Sequence, residues 1–486
     1  MHLSFNINNI CKIIGFSKRR RPVLFLILLV FWQCRALPFN NPSDINTKAF
    51  LETQLLRCFL GEWDCYEIPQ DNQGAREWTR FLGATGGVQT AAQTTAIDRS
   101  GNIYLAGTTT GSLVGQSKIS PGLSNDIFVA KFDSIGNFLW IRQMGSNSVA
   151  STYVEVAHFD RWGDLYLIGS SGGPFNELPA SGAGSLLIKL NSSGVVLWTR
   201  IFPTGSETLG SGVTSDSDGN VYITGNTEEQ LINGETALGG RNTFIFKYNR
   251  NGEYLWTRLI DNGGPSSYGQ QIQFDPYSRN ILLAGQVGGS GTFFGNSLPG
   301  GLTDSYLLSL NTNGIVQWVR LLGVSGGSTN IRAFSVDNKG SAYMTGDANT
   351  NLDGQIISGS TVQFLTRYNV FGEKIWTRLL GGGGSSSTYS YGIYADNASH
   401  IYTVGNTTGN LSGVNLIGTQ DSYLAKYDGN GNLIWIRPSG SIGSTVYGRG
   451  ISSDKYGTLY MSGSTDGNFD GQTKLGANDA FLSKYR

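Results

Sequence analysis

Charged side chains are scarce in this sequence. Asp, Glu, Lys and Arg make up 14% of its 486 residues, against about 25% in ordinary soluble domains. The charges also balance, because 35 Lys and Arg residues face 35 Asp and Glu residues. A chain without a basic excess lacks the electrostatic footprint that binds nucleic acid or an anionic membrane surface. We therefore exclude both as partners of the folded chain.

Histidine and cysteine are rare as well, with three and four residues. His158 lies in a first strand and His400 in a turn, and neither belongs to a nucleophile motif. The stretch from Asp216 to Asn220 comes nearest to a calcium loop, yet the other copies of this stretch lack its second acidic residue, which favours an ordinary turn. We predict no catalytic residue, no metal and no cofactor. A paired-carboxylate glycosidase remains open, because distant acids can meet in the fold.

Only one long apolar run is present, at residues 23–32, directly after Lys18-Arg19-Arg20-Arg21. It is shorter than the roughly 20 residues that span a bilayer, and it fits the apolar region of a signal peptide. Cys34 follows just after this run, in a stretch that resembles a bacterial lipobox. Cleavage before Cys34 gives a lipid-anchored protein of the bacterial outer membrane or cell surface. Cleavage after Ala36 gives a periplasmic or secreted protein instead.

A non-repeat segment follows the predicted signal peptide of residues 1–36. Residues 37–70 are partly helical in spacing, with apolar side chains recurring between positions 45 and 60. Cys58 and Cys65 lie in this exported part. Because an oxidising compartment pairs cysteines, we expect a disulfide between them.

Glycine is abundant in the sequence, and tryptophan recurs at regular intervals. Gly accounts for 68 residues, about twice the usual share of roughly 7%. Seven tryptophans recur at intervals of 58 to 62 residues, each with an arginine two residues later, at Trp78, Trp140, Trp198, Trp256, Trp318, Trp376 and Trp435. A turn of the form Asp or Asn, two residues, then Gly precedes each Trp. Self-similarity at a fixed period indicates a repeat architecture.

Each unit divides into four predicted strands. In the unit ending at Trp140 these are residues 94–98, 103–108, 127–133 and 138–143, with a long polar loop after the second. The second strand always ends in glycine, at Gly107, Gly169, Gly225, Gly285, Gly346, Gly405 and Gly463. Glycine at one fixed strand position indicates a bulge or a close backbone approach. Four antiparallel strands per unit predict the blade of a β-propeller.

The two ends of the repeat region complement each other. The region begins with a fourth strand, Glu77 to Phe81, that lacks the first three, and it ends with a third strand, 480–486, that lacks a fourth. We therefore predict an all-β, seven-bladed propeller over residues 71–486, closed by pairing of its N-terminal and C-terminal strands.

The repeat elements resemble a named family, the bacterial SBBP beta-propeller repeat. In one unit its elements are Asp98/Gly101/Asn102/Tyr104, Gly107/Thr109/Gly111, Asp126/Phe128/Lys131 and Gly136/Asn137/Trp140/Arg142. The resemblance covers about 85% of the chain. It implies the propeller fold, and it implies little about function, because the family is largely uncharacterised and includes many cell-envelope proteins.

The Trp and Arg of each unit share a strand face, since they are two residues apart. Seven equivalent copies favour a structural role, with Arg stacked on Trp or bonded to the next blade, over a ligand platform. The Asp-to-Trp element is also similar to the tryptophan-docking repeat of quinoprotein dehydrogenases. Against that enzyme, the chain has seven predicted blades rather than eight and no adjacent cysteine pair.

The residues entering the first strands differ between units. Several place tyrosine among serine and glycine, a composition typical of adaptable binding loops, at Tyr153, Tyr268, Tyr389, Tyr391 and Tyr447. We therefore predict a monomeric, non-catalytic binding or scaffold protein of the bacterial cell envelope, whose partner is a protein or a glycan. The alternatives are an enzyme with its site in the axial funnel, quinone-dependent or glycan-cleaving, and a purely structural surface protein.

Lipid attachment at Cys34 is directly testable. Wild-type protein made in a bacterial host should incorporate radiolabelled palmitate, and Cys34→Ser should not, because the acyl chains attach through this cysteine. Equal labelling of the two proteins would contradict the prediction of a lipoprotein.

Overall fold

A computed structural model describes residues 73–175, 184–202, 208–229, 231–237, 240–260 and 263–486. The chain divides into two compact units, residues 1–65 and 66–486, and the described residues belong to the second. The predicted signal peptide, the segment 37–70, Cys34, Cys58 and Cys65 all lie outside the described residues. In the part that is described, no helix is long and apolar enough to cross a membrane.

Seven four-stranded antiparallel sheets follow one another along the chain, as predicted. Blade 1 contains β2 (Thr90–Ile97), β3 (Ile103–Thr109), β4 (Asp126–Phe132) and β5 (Phe138–Met144). Blade 2 contains β6 (Thr152–Phe159), β7 (Leu165–Ser171), β8 (Gly184–Leu190) and β9 (Val196–Ile201). Blade 3 contains β10 (Thr208–Ser215), β11 (Val221–Thr227), β14 (Asn242–Tyr248) and β15 (Tyr254–Ile260), with the ribbon β12 (Leu231–Ile232) and β13 (Glu235–Thr236).

The remaining blades follow the same order of first, second, third and outer strand. Blade 4 contains β16 (Ser267–Asp275), β17 (Asn280–Gly288), β20 (Thr303–Leu310) and β21 (Val316–Leu322), with the ribbon β18 (Thr292–Phe293) and β19 (Asn296–Ser297). Blade 5 contains β22 (Thr329–Val336), β23 (Ala342–Ala348), β24 (Val362–Tyr368) and β25 (Lys374–Leu380). Blade 6 contains β26 (Thr388–Ala395), β27 (Ile401–Thr407), β28 (Asp421–Tyr427) and β29 (Leu433–Ser439). Blade 7 contains β30 (Val446–Ser453), β31 (Leu459–Thr465), β32 (Asp479–Tyr485) and β1 (Arg76–Leu82).

Blade 7 confirms the predicted closure, because its outer strand comes from the beginning of the described chain. Strand β1 pairs antiparallel with β32 from Arg76, opposite Tyr485, to Leu82, opposite Ala480. Ala75 and Arg486 exchange two backbone hydrogen bonds of 2.8 Å just beyond this ladder. The pairing leaves no blade with an open third strand.

The first strands form the inner ring. Each first strand contacts the first strands of both neighbouring blades, which places all seven around the axis. The second and third strands are buried along almost their whole length, as in β3 and β4. Neighbouring blades cover both faces of these strands, and this is why their sequences are apolar at consecutive positions. The outer strands expose one face to solvent.

The outer Trp and Arg residues join one blade to the next, which confirms their structural interpretation. The Arg200 guanidinium lies 5.2 Å from the ring centroid of Trp198. Its Nε donates a hydrogen bond of 2.7 Å to the carbonyl of Gly252, in the turn before the next outer strand. A Cβ on Gly252 would lie 3.0 Å from the indole of Trp198. Trp therefore needs glycine in the neighbouring turn.

A second brace joins the blades at the turn between first and second strands. In blade 1, Asp98 accepts backbone hydrogen bonds from Ser100 and Asn102, both at 2.9 Å. Burial and the Asp98 charge raise the pKa of Tyr104, which keeps its hydroxyl protonated as a donor to Asp98. Lys131 lies 4.8 Å from the Tyr104 ring centroid and donates to a carbonyl of blade 2 at 3.2 Å. Asp216 makes the same turn, as predicted.

Every first strand also carries a β-bulge at one fixed position. Its extra residue lies opposite the step between the second-strand glycine and the residue before that glycine. The seven bulged residues are Gln93, Glu155, Ser211, Gln270, Arg332, Tyr391 and Arg449. The glycine is required because the first-strand backbone approaches closely here. A Cβ on Gly405 would lie 1.8 Å from the carbonyl oxygen of Tyr389. Both meanings predicted for the recurring glycine are thus confirmed.

Closure of the ring predicts different outcomes for two truncations. Deleting residues 1–70 should leave the melting temperature of the propeller unchanged, whereas deleting residues 1–82 should lower it clearly. The longer deletion removes ladder hydrogen bonds of about 0.5–1.5 kcal/mol each and the buried Leu82 side chain, at about 2–5 kcal/mol. Calorimetry measures both effects. Equal melting of the two truncations would contradict the closure.

The close approach at the second-strand glycine predicts a strong effect of one methyl group. Gly405→Ala should lower the free energy of unfolding by at least about 1–3 kcal/mol, because the new Cβ meets backbone that cannot move aside. Gly288→Ala is the matched control, since this strand glycine has no atom within 3.8 Å of the added Cβ. Urea denaturation compares the two variants. Similar stabilities would show that the first strand shifts without cost.

Candidate functional site

The central channel is the candidate site. Along each first strand, buried residues alternate with residues that retain exposure up to the bulge. Since the first strands form the inner ring, the exposed side faces the axis. Two positions per blade therefore line the channel: the bulged residue and the residue two places before it.

The five tyrosines predicted as a binding surface all occupy these positions. Tyr153, Tyr268, Tyr389 and Tyr447 stand two residues before the bulge in blades 2, 4, 6 and 7, and Tyr391 is the bulged residue of blade 6. The prediction that they lie in loops was wrong, because all five belong to strands. Strand pairing orders them towards the axis, whereas a loop would leave them free to turn away.

Arg449 stands among these aromatic rings. Its guanidinium carbon lies 4.1 Å from the ring centroid of Tyr391 and 5.6 Å from that of Tyr447. Tyr389 lies next to Tyr391, with 6.2 Å between ring centroids. Among the described residues Arg449 has ring contacts and one longer-range electrostatic partner, and its side chain makes no hydrogen bond with them. The fork of N–H groups is therefore available to a ligand.

Arg332, the bulged residue of blade 5, differs from Arg449 in being paired. Its Nε donates to the carboxylate of Asp347 at 2.8 Å, and Asn330 donates to the other oxygen of the same carboxylate at 2.9 Å. Burial alone would lower the pKa of Arg332, but the charge of Asp347, its hydrogen bond with Arg332 and the nearby Tyr391 and Tyr389 together outweigh burial and raise it. Its guanidinium lies 5.8 Å from the Tyr391 ring centroid. Arg332 thus extends into blade 5 the cationic and aromatic wall that Tyr389, Tyr391, Tyr447 and Arg449 form.

Glu155 brings a carboxylate to the channel from blade 2. Burial raises the pKa of this carboxyl group, and the positive charge of Arg449 partly opposes the rise. The side chain reaches solvent but is surrounded on most sides by protein, as expected in a narrow channel. Glu155 and Arg449 are close enough to interact electrostatically without forming an ion pair.

The other bulged residues are uncharged. Gln93 and Gln270 present planar amides from blades 1 and 4, and Ser211 donates a hydrogen bond of 2.6 Å to the carbonyl of Gly269 in the next blade. The bulged positions are therefore polarised: blades 5 to 7 supply arginine and tyrosine there, and blades 1 to 4 supply amides, a hydroxyl and one carboxylate. Seven equivalent backbone positions carry five residue types.

The histidines of the described region lie away from this wall. His158 accepts a hydrogen bond of 3.1 Å from the backbone N–H of Ser215 at the junction of blades 2 and 3. Burial lowers the pKa of His158 to about 4, so the ring is neutral near pH 7. His400 lies 3.0 Å from the carboxylate of Asp396 in a turn. Among the described residues, no group of three or more His, Cys, Asp or Glu side chains is arranged to hold a metal ion.

Sequence reasoning found the channel tyrosines and missed Glu155, Arg332 and Arg449. The signal for them was present in the recurring second-strand glycine. The bulge begins one residue after the partner of that glycine in the ladder, so its position follows once the pairing of the two strands is known. The pairing register was the missing information.

The SBBP beta-propeller repeat model matches the chain four times, at residues 77–113, 197–232, 317–353 and 375–412. The first match contains β1, β2 and β3, so a sequence repeat joins the outer strand of one blade to the first two strands of the next. The offset between repeat and blade is what leaves β1 and β32 to complete blade 7.

A curated relative is an uncharacterized WD repeat-containing protein of Acanthamoeba polyphaga mimivirus, 24% identical over 423 residues. The match covers 66% of this chain and 30% of that protein, so the chain corresponds to less than a third of its relative's length.

Similar solved structures include the polysaccharide lyase Uly1, at 11% identity and a TM-score of 0.47, covering 88% of this chain and 94% of that chain. Kuenenia stuttgartiensis hydrazine synthase shows 11% identity and a TM-score of 0.47, covering 82% and 95%. Likeness of this size supports no argument about activity. The four repeat matches, together with the seven blades of the structure, show that the chain contains SBBP-type beta-propeller repeats.

Proposed function

We propose that this protein is a non-catalytic binding protein of the bacterial cell envelope, and that it holds its ligand, a protein or a glycan, in the central channel. The observation that carries the proposal is the aromatic and cationic wall formed by Tyr389, Tyr391, Tyr447 and Arg449. Tyrosine offers a large, rigid contact area with a polar tip, at a small cost in conformational entropy. Beside it, the Arg449 guanidinium, which makes no hydrogen bond among the described residues, supplies directed hydrogen bonds.

The contrast between repeated and varied positions favours binding over a purely structural role. The residues that join the blades recur around the ring, as Trp, Arg, Gly and Asp do. The channel positions do not recur, although the backbone places them equivalently. Equivalent geometry with differing side chains is expected where a ligand without sevenfold symmetry is bound. A ring with a purely structural role would not need different side chains at these equivalent positions.

The enzyme alternatives receive less support from the same geometry. Glu155 and Asp347 are acids near the channel, but Asp347 is committed to Arg332 and Asn330. A glycan-cleaving pair needs two carboxyl groups about 5–10 Å apart on either side of one bond. The described residues bring no such pair together in the channel. We therefore favour ligand binding over catalysis as the function of the channel.

Export and anchorage complete the proposal. The basic residues 18–21 and the apolar run 23–32 support secretion, and Cys34 supports a lipid anchor on the outer membrane or cell surface. An anchored propeller would present its channel outside the cytoplasm, where envelope proteins and glycans are available.

The channel tyrosines give a direct test. A combined Tyr391→Ala and Tyr447→Ala variant should bind at least about tenfold more weakly than wild type to whichever member of a defined oligosaccharide and peptide array the wild type recognises, because each ring supplies contact area and stacking of about 0.5–1.5 kcal/mol. Surface plasmon resonance on the selected array member measures the affinity.

Tyr456→Ala is the matched control, since this tyrosine is 51% exposed in a turn of blade 7, beyond the end of its first strand. It should bind like wild type. Equal binding by the channel variant, or absence of any wild-type binding across the array, would contradict a binding site in the channel. Mass spectrometry of the same mixtures should show intact ligands, and cleaved or oxidised products would favour an enzyme.

A further inference from the structure

We infer that the channel ligand is an acidic saccharide, whose negatively charged group lies against the guanidinium of Arg449. The inference rests on the proposed function and deepens it by assigning the chemical class of the ligand. It starts from three features of the channel wall: an arginine without a hydrogen-bond partner among the described residues, flat aromatic faces beside it, and the surrounding polar groups.

Arg449 is prepared to receive an anion. Its guanidinium is held between Tyr391, at 4.1 Å, and Tyr447, at 5.6 Å, so the side chain is ordered before a ligand arrives. Paired N–H groups of arginine match the two oxygens of a carboxylate or sulfate group. Arg332 is less suited to this part, because Asp347 already accepts its Nε–H at 2.8 Å and balances its charge. Arg449 is thus the cation of this wall that is available.

Glu155 explains why the anion would come from the ligand rather than from the protein. It interacts with Arg449 electrostatically but makes no ion pair with it. The charge of Arg449 is therefore only partly balanced in the channel. A ligand acid that binds Arg449 would also feel repulsion from Glu155, which supplies a measurable second signature.

The lining favours a saccharide over an acidic peptide. Peptide anchors need apolar pockets for buried side chains, yet the channel positions are mostly Tyr, Arg, Gln, Asn, Ser and Glu, with Ala91 and Leu209 as the apolar exceptions. The C–H face of a sugar ring packs well on an aromatic ring, whose face carries negative charge. Amides such as Gln93 and Gln270 both donate and accept hydrogen bonds, as sugar hydroxyl groups do.

The test compares saccharides that differ only in charge. Tetrasaccharides of galacturonate, glucuronate and mannuronate are titrated by calorimetry, each beside its neutral methyl ester. A tetrasaccharide whose only charged groups are sulfates, and tetraglutamate, are titrated in the same way. At least one acidic tetrasaccharide should bind wild type about tenfold or more tightly than its neutral counterpart. Preference for the carboxylated or the sulfated member then identifies the acidic group.

Variants assign the effect to Arg449. Arg449→Gln should reduce binding of the preferred acidic tetrasaccharide about 10- to 100-fold and leave the neutral ester unchanged. Lys455→Gln removes one positive charge from the same blade, beyond the end of β30, and should bind like wild type. Glu155→Gln should bind the acidic tetrasaccharide more tightly, because its repulsion is removed. The melting temperature of each variant confirms that it is folded.

The outcomes separate the ligand class from the proposed function. Equal binding of neutral and acidic tetrasaccharides, with loss of both in the tyrosine variant, would overturn the acidic class and keep the binding site. Binding of tetraglutamate alone would overturn the saccharide. Unchanged or weaker binding by Glu155→Gln would overturn the placement of the acid near both residues. If no tetrasaccharide binds, this inference is overturned. The proposed function is overturned only if the peptides of the array also fail to bind.

Discussion

The ring depends on side chains that cross the junctions between blades. The hydrogen-bond ladders run within each sheet, and among the described residues the backbone contacts between neighbouring sheets are short, such as the parallel bridge of Thr361 with Ser387. Stacked Trp and Arg hold the outside of a junction, the Asp–Tyr–Lys brace holds one end, and polar contacts such as Ser215 to His158 hold the inner strands. Since these contacts lie in different layers, each junction is fixed against both tilt and slip.

The braces leave the channel free to vary. The side chains that join blades have the same contacts in almost every repeat. Blade 4 has Leu282 and Ser309 in place of the Tyr and Lys, which shows that one junction tolerates the loss of this pair. Channel residues make few such contacts. Substitution there changes the ligand surface while the ring persists, which is how a repetitive scaffold acquires one asymmetric site.

The sequence predicted the fold well because the signals that define it are local and repeated. Three such signals are present in the sequence itself: the interval between tryptophans, the glycine ending each second strand, and the incomplete units at the two ends of the repeat region. The bulge ring was not predicted, because bulges depend on which residue a partner strand skips. Tyr389 and Tyr391 were placed in a loop because their Ser and Gly neighbours resemble loop composition. In the structure that small-residue pattern is the buried face of a strand crowded against the second-strand glycine.

Blade 7 also determines when the ring can form during synthesis. The buried contact between Thr79 and Ser483 joins residues 404 positions apart. At translation rates of about 5–20 residues per second, β1 waits roughly 20–80 s for β32 to leave the ribosome. Six blades can fold while the chain grows, but the first strand stays an unpaired edge throughout that time. A chaperone that shields this edge, or slow compaction of the early blades, would therefore decide the yield of native protein.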